Sequence, residues 1–344
     1  MARPSKDQRV LLTGVAGFVG SHLADRLVTE GWEVIGVDNF MTGREQNIAH
    51  LERETRFHFL EASVEELPEI EASLDWVMHF ASPASPPKYQ AAPIECMRCN
   101  GEGTRKLLDI AHNKCAQFFL ASTSEVYGDP EVHPQVESYV GHVNPVGPRS
   151  MYDESKRFAE AMTVAYRDTR DVAARLIRIF NTYGPRMAPD DGRVISNFVC
   201  QALQGRSLTI YGEGTQTRSF QYIDDLIEGI VRLMGVDYFE PVNLGNPDEH
   251  TILDLAEIIG GLLDDSAELT FCPLPEDDPT RRRPNIDRAE QVLGWRPSVP
   301  LRQGLAHTVA YFRDQLDLDR PVPAVVEELA AAEASGQAPS LRTR

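Results

Sequence analysis

The run Thr13-Gly14-Val15-Ala16-Gly17-Phe18-Val19-Gly20 spaces three glycines as G-x-x-G-x-x-G between an apolar run and an amphipathic one. Such a turn lets backbone N–H groups approach a pyrophosphate, with the positive end of the following helix behind them. Asp38 stands 24 residues after Gly14 at the end of a second apolar run. A carboxylate there accepts hydrogen bonds from adenosine ribose hydroxyls and repels a 2′-phosphate, which favours NAD over NADP. Further on, Tyr152 and Lys156 stand four residues apart, on one face of a helix. A phenol of ordinary pKa near 10 is a poor base at neutral pH. An ammonium one turn away, with an oxidised nicotinamide ring, stabilises the phenolate. The pair then takes a proton from a hydroxyl while the cofactor takes the hydride. On its own Tyr-x-x-x-Lys reads equally as a surface pair. The glycine turn and the strand end at Thr123 give it weight.

The elements that must carry these residues alternate. Strands are predicted at Arg9–Gly14, Glu33–Asp38, Phe57–Ala62, Trp76–Ala81, Gln117–Thr123 and Ala173–Phe180, with helices at Val19–Glu30, Pro93–Asn113 and Ser150–Thr169. Short apolar strands alternating with helices imply an α/β fold, a doubly wound parallel Rossmann sheet. Its carboxyl edge would hold Ser122-Thr123-Ser124-Glu125, where such folds place chemistry. From Asn181 onward Gly-, Pro- and Arg-rich loops interleave with short strands (Leu208–Tyr211, Ser219–Ile223, Leu269–Cys272) and helices (Thr251–Leu263, Arg288–Leu293, Leu301–Leu316). We expect a dinucleotide-binding domain over 1–180, with parts of 218–247. A smaller, interleaved C-terminal lobe for substrate would comprise 181–217 and 248–318, and 319–344 reads as a frayed or docked tail.

Across 344 residues, 34 Lys and Arg face 52 Asp and Glu, a formal charge of −18. So acidic a surface argues against nucleic acid and anionic membranes as partners. No apolar run of membrane-spanning length is present and no signal-peptide pattern opens the chain, so a cytoplasmic protein is expected. Five cysteines at irregular positions make no disulfide framework. Cys96-Met97-Arg98-Cys99 has no second pair or nearby His to complete a zinc site, so the pair reads as two reduced helix cysteines and no metal is expected. An anionic substrate then needs locally gathered cations. Arg186, Arg193, Arg218 and the run Arg281-Arg282-Arg283 supply them, although such a run also reads as a solvated charge cluster.

The chain resembles the extended short-chain dehydrogenase/reductases that act on nucleotide sugars, and among them the UDP-glucuronate decarboxylases. The likeness runs from about Arg9 to Gln315. Its marks are Val37-Asp38-Asn39-Phe40, Thr42-Gly43-Arg44, Ala81-Ser82-Pro83-Ala84-Ser85-Pro86-Pro87, Ser122–Pro130, Gly141–Pro145, Phe180–Arg186, Asp191–Val194, Gln216-Thr217-Arg218 and Val242–Pro247. Val15 departs from it where a further glycine is usual. The resemblance implies NAD contacts from Gly14, Gly17, Phe18, Val19, Gly20, Asp38, Asn39, Phe40, Thr42, Gly43 and Ala81, with Tyr152 and Lys156. It implies that Tyr152 is the acid/base at the sugar C4 hydroxyl, with Lys156 lowering its pKa and Thr123 hydrogen-bonding the same oxygen. Glu125 would orient the ring or relay the C5 proton. UDP-sugar contacts would come from Asn181, Arg186, Arg193, Tyr211, Arg218 and Arg282, while Tyr89 is either such a contact or packing. A homodimer through a four-helix bundle is also implied.

The reaction implied is C4 oxidation to a ketone β to the C6 carboxylate, loss of CO2, protonation at C5 and return of the hydride. A 4,6-dehydratase or 4-epimerase shares the glycine turn and the Tyr–Lys pair. Ser124, standing before Glu125, cannot protonate a departing C6 hydroxyl as a carboxylic acid would, and this favours decarboxylation. An oxidative decarboxylase releasing a 4-keto pentose and NADH stays open. A non-catalytic NAD sensor should have lost the Tyr–Lys pair or Thr123, and both are present.

Overall fold

The structure, a computed structural model, describes residues 8–264, 268–274, 281–318 and 323–331. Its first half runs β1 (Arg9–Thr13), α1 (Phe18–Glu30), β2 (Glu33–Asp38), β3 (Phe57–Glu61), β4 (Trp76–His79), α2 (Pro86–Ala91), α3 (Pro93–Arg98), α4 (Thr104–Lys114), β5 (Gln117–Thr123), α5 (Ser150–Arg170) and β6 (Ala174–Ile179). The second half continues with β7 (Thr182–Tyr183), α6 (Val194–Leu203), β8 (Leu208–Tyr211), β9 (Thr217–Ser219), β10 (Gln221–Tyr222), α7 (Ile223–Met234), β11 (Val242–Leu244) and β12 (Glu249–Thr251). It ends with α8 (Ile252–Leu262), β13 (Leu269–Cys272), β14 (Arg281–Arg282), α9 (Asp287–Leu293), α10 (Leu301–Gln315) and α11 (Ala324–Ala331).

Seven parallel strands form the central sheet in the order β3-β2-β1-β4-β5-β6-β11. The expected Rossmann-type sheet is therefore present. Side chains leave a strand alternately to its two faces. Val10, Leu12, Met78 and Phe119 pack on one side with Leu23 and Leu27 of α1 and Leu226 and Ile230 of α7. Leu11, Val77, Phe118 and Leu120 pack on the other with Leu107 and Leu108 of α4 and Ala159 of α5. Both faces being covered explains why these strands read as continuous apolar runs. Strand order reverses between β1 and β4, which opens a crevice at their carboxyl ends.

Two departures from the sequence expectation have structural causes. The helix expected over Pro93–Asn113 is interrupted by a π turn at Cys99–Gly103. There Asn100 is fully buried and its carbonyl accepts from Thr104 Oγ1 at 2.6 Å. The strand expected at Ser219–Ile223 splits into β9 and β10, and Ile223 instead begins α7. The α7 helix carries Asp224 and Asp225 in its first turn, the end where acidic side chains are favourable. Asp225 also accepts from Ser298 N, Ser298 Oγ and Val299 N at 2.8, 2.9 and 3.1 Å, which ties the second lobe to the sheet. Of the expected tail, α11 docks through buried Val326, and 319–322 and 332–344 lie outside the described residues.

Gly20 is where α1 meets the first turn. A Cβ added there would lie 2.0 Å from the Gly14 carbonyl oxygen, against backbone that has nowhere to go. Gly20→Ala should cost about 1–3 kcal/mol, the usual range for overpacking. Denaturant unfolding of the variant checks this, and an unchanged midpoint would show that α1 packs less closely than described.

Candidate active site

The crevice carries the glycine cradle. Gly14 adopts φ +73°, and a Cβ on it would meet Ala81 N at 2.6 Å, so this position requires glycine. Its N–H donates to Val37 O at 2.8 Å, fixing the turn to the end of β2. Gly17 is the N-cap of α1, with no side chain capping that end. Phe18 and Val19 follow in the first turn. Asp38 is buried at the end of β2, where Oδ2 accepts from Ala16 N and Oδ1 from Phe40 N, both at 2.9 Å. Burial raises its carboxyl above the usual range, with those N–H groups opposing the rise. A Cβ on Gly43 would meet Asp38 Oδ1 at 2.8 Å, so a glycine keeps that side of the carboxylate open. Asn39 and Thr42 are exposed beside it. Room for backbone to approach a pyrophosphate, and a carboxylate at ribose distance along the sheet edge, fit an adenine dinucleotide.

A cavity of about 510 Å³ continues from this crevice, lined by Val19, Thr123, Glu125, Tyr152 and Lys156. That size suits one small ligand. Asn181, Arg193, Tyr211, Arg218 and Arg282 line it from the second lobe, with Tyr89 of α2 and Arg149 at the start of α5. Tyr152 and Lys156 do lie on one face of α5, both buried, with Lys156 Nζ 6.0 Å from the Tyr152 ring. Nζ donates to Ala121 O at 2.9 Å, and burial lowers its pKa to about 8. The expected lowering of the phenol pKa is not found. Burial pushes Tyr152 well up and outweighs its hydrogen bond with Thr123. The Tyr89 ring stacks on Tyr152 at 5.1 Å and 3°. Its hydroxyl is buried without a partner among the described residues, so Tyr89 both packs and lines the cavity.

Glu125 sits in the turn after β5. Its Oε2 accepts from Arg149 Nη2, and from Arg282 Nη2 at 3.1 Å. Burial opposes ionisation, but these two guanidiniums dominate and hold the carboxyl well below its usual range. Strand alternation settles the arginine run. Backbone pairing of β14 with β9 turns Arg282 inward, 1% exposed, and Arg281 outward. Arg282 Nη1 also donates to Ser124 O at 2.5 Å. Arg193 is held bidentate on Asp191, at 2.5 and 2.9 Å.

One expected contact is corrected. Arg186 does not line the cavity; its guanidinium pairs with Asp25 of α1 at 2.6 Å. The left-handed backbone at Arg186, φ +69°, turns the chain there. The sequence reading also missed Arg149, whose signal was available, since it lies three residues before Tyr152 on the same helical face. Asn100 was missed too. Its Nδ2 donates to Ser155 Oγ at 3.0 Å from the π turn, and no spacing rule announces that irregular turn.

A family model described as GDP-mannose 4,6 dehydratase matches residues 11–308. The chain belongs to the extended short-chain dehydrogenase/reductase family. It is 53% identical over 310 residues to UDP-glucuronic acid decarboxylase 1 of Danio rerio, covering 90% of this chain and 74% of that one. It is 51% identical over 308 residues to UDP-glucuronic acid decarboxylase 4 of Arabidopsis thaliana, covering 90% and 69%. Among solved structures it resembles UDP-glucuronic acid 4-epimerase from Bacillus cereus in complex with UDP-glucuronic acid and NAD. There the TM-score is 0.80 at 28% identity, covering 90% of this chain and all of that one.

Arg149 is 15% exposed and its contact with Glu125 is desolvated. Arg149→Met should therefore cost about 1.5–3 kcal/mol at pH 7, as expected for a hydrogen bond to a buried charge. A carboxyl lowered in the folded state stabilises above its unfolded pKa and loses that stabilisation as pH falls through the folded one. The Glu125 part of the difference should thus be complete above about pH 4.5 and shrink toward pH 2, with a second rise above about pH 7, where Arg149 also favours ionised Asp153. Denaturant titrations across that window check both size and sign.

Proposed function

We propose that this chain catalyses NAD-dependent decarboxylation of UDP-glucuronate to UDP-xylose and CO2. The observation that carries the reading is a single cavity that holds Thr123, Tyr152 and Lys156 beside an ionised Glu125 gripped by two arginines. The decarboxylases at 51–53% identity support it. So does the 4-epimerase of the same fold, whose structure holds both UDP-glucuronic acid and NAD.

The glycine cradle with Asp38, Tyr152 and Lys156 would hold NAD, which would supply the hydride acceptor for sugar C4 and give the hydride back. Tyr152 takes the proton of the C4 hydroxyl and later gives it back. Thr123, already hydrogen-bonded to the phenol, donates to the same C4 oxygen. Lys156 keeps a positive charge within 6.0 Å of the ring as the phenolate forms. A C4 ketone is β to the C6 carboxylate, so the electron pair of the broken C5–C6 bond passes onto the C4 oxygen as an enolate. Thr123 and the protonated Tyr152 stabilise that oxygen by preorganised hydrogen bonds. A proton from solvent water adds at C5 and closes the enolate to the 4-keto pentose before the hydride returns, while Glu125, too strongly held by Arg149 and Arg282 to act as an acid, orients the ring there. Arg282 and Arg218 hold the diphosphate or carboxylate, with Arg193, Asn181, Tyr211 and Tyr89 completing the grip. Ser124, a hydroxyl beside Glu125, offers no acid for a departing C6 hydroxyl, which sets this reading apart from dehydration.

We assign the 1–180 and 218–247 segments to cofactor binding, and 181–217 and 248–318 to substrate binding. In support, α7 packs on the central sheet and β11 completes it, while β8 and β14 stand over the cavity. A cytoplasmic location is supported by the −18 charge and by five free cysteines. No helix among the described residues is long and apolar enough to cross a membrane. A homodimer is supported by Ile94 and Met97 of α3 and Phe158 of α5, which are 63%, 49% and 54% exposed. Two copies of these helices would bury that patch in a four-helix bundle.

Incubation with UDP-glucuronate and catalytic NAD, followed by proton NMR, should show UDP-xylose and CO2 in equal amounts without net NADH. Unchanged substrate alongside turnover of UDP-glucose or dTDP-glucose would overturn the assignment. In the same assay Tyr152→Phe should lose at least about 100-fold in turnover, the low end for removal of a general acid/base, while UDP binding persists. Phe158→Asp should shift the sedimentation coefficient to that of a monomer, and an unchanged dimer would place the interface elsewhere.

A further inference from the structure

Asp153 follows Tyr152 in the chain and has no part in the chemistry above. Its side chain is 8% exposed, and Oδ1 is buried with no hydrogen-bond partner among the described residues. Oδ2 lies 4.0 Å from Arg149 Nε, and the other end of that guanidinium is committed to Glu125. One arginine thus stands between two carboxylates and grips only one of them. The other groups facing Asp153 are Glu154 and Tyr152 from α5, Arg282 from β14, Tyr89 from α2 and Cys96 from α3.

Beside Asp153 itself the charges cancel when it is ionised, Glu125 and Asp153 against Arg149 and Arg282, while Arg218 faces Glu125, Arg193 is paired with Asp191 and Lys156 lies by the phenol. Asp153 does not itself line the cavity but Arg149 does, so a glucuronate carboxylate bound against Arg149 would add its negative charge beside the guanidinium that Asp153 faces, and uncompensated buried charge is expensive. Glu125 cannot relieve it, because two guanidiniums bind it. We propose that Asp153 is the charge-compensating residue of the site, taking up a proton from solvent when the substrate carboxylate binds. This rests on the decarboxylase reading. Burial and the charge of Glu125 already push the Asp153 carboxyl up to about 7, so a further negative charge acts where it titrates. The proton count of the reaction agrees. When the C5–C6 bond breaks, CO2 leaves and its electron pair stays on the sugar, so one proton must be added at C5. Uptake on binding brings in that number of protons.

The test uses the NAD-loaded Tyr152→Phe protein, in which binding is separated from turnover. Titration calorimetry in buffers of different ionisation enthalpy should give about one proton taken up per UDP-glucuronate at pH 8, and clearly less at pH 6, where Asp153 is already protonated. UDP-xylose, which lacks the carboxylate, should give none. Adding Asp153→Asn, which fixes the neutral shape, should abolish the uptake while UDP-glucuronate still binds. Uptake that survives Asp153→Asn, or binding without uptake in the parent, overturns the proposal alone. Failure of UDP-glucuronate to bind at all overturns the decarboxylase reading with it. Should the double variant fail to fold, difference infrared spectra of the Tyr152→Phe protein carrying carboxyl-13C aspartate decide. A protonated-carboxyl band that appears with substrate and shifts with the label supports the proposal, and its absence overturns it.

Discussion

The contact on which the site depends is the ion pair between Glu125 and Arg282, because its two halves come from different lobes. Glu125 lies in the turn after the fifth strand in chain order, while Arg282 lies on a two-residue strand of the second lobe, 157 positions later. Burying either charge alone would be strongly unfavourable. The second lobe must therefore seat itself so that β14 reaches β9 and the guanidinium reaches both Ser124 O and Glu125. That seating roofs the cavity and removes the reacting groups from water.

Removal from water then sets the electrostatics. Burial raises Tyr152 and Asp153 and lowers Lys156, each toward its neutral form, while Glu125 alone goes the other way because two cations face it. Neighbouring side chains thus hold different protonation states at one pH, the condition that acid/base work in a closed site requires. Burial, rather than Lys156, sets the direction of the phenol's shift.

The same constraint explains which cations serve the site. Arg193 is held by Asp191 in a two-pronged grip, and Arg186 is drawn off to Asp25 on α1. In so acidic a chain most arginines meet a carboxylate, and those left facing the cavity are selected by strand register and by loop geometry.

The alternation of apolar runs and amphipathic helices fixed the parallel sheet, and residue type with spacing located Gly14, Gly17 and Gly20, Asp38, Thr123, and Tyr152 with Lys156. These features are local, and a turn, a strand end or one helical face contains each of them whole. Elsewhere the chain alone was ambiguous. Three consecutive arginines carry no sign of which points inward, and that depended on the pairing of β14 with β9. Ser219–Ile223 read as a strand because its helical continuation shows only when Asp225 meets Ser298 and Val299. The π turn that buries Asn100 breaks the periodicity from which helices are read. Arg149, Arg186 and Asp153 gained or lost a role through partners distant in sequence, since a buried charge takes its meaning from whatever the fold packs against it.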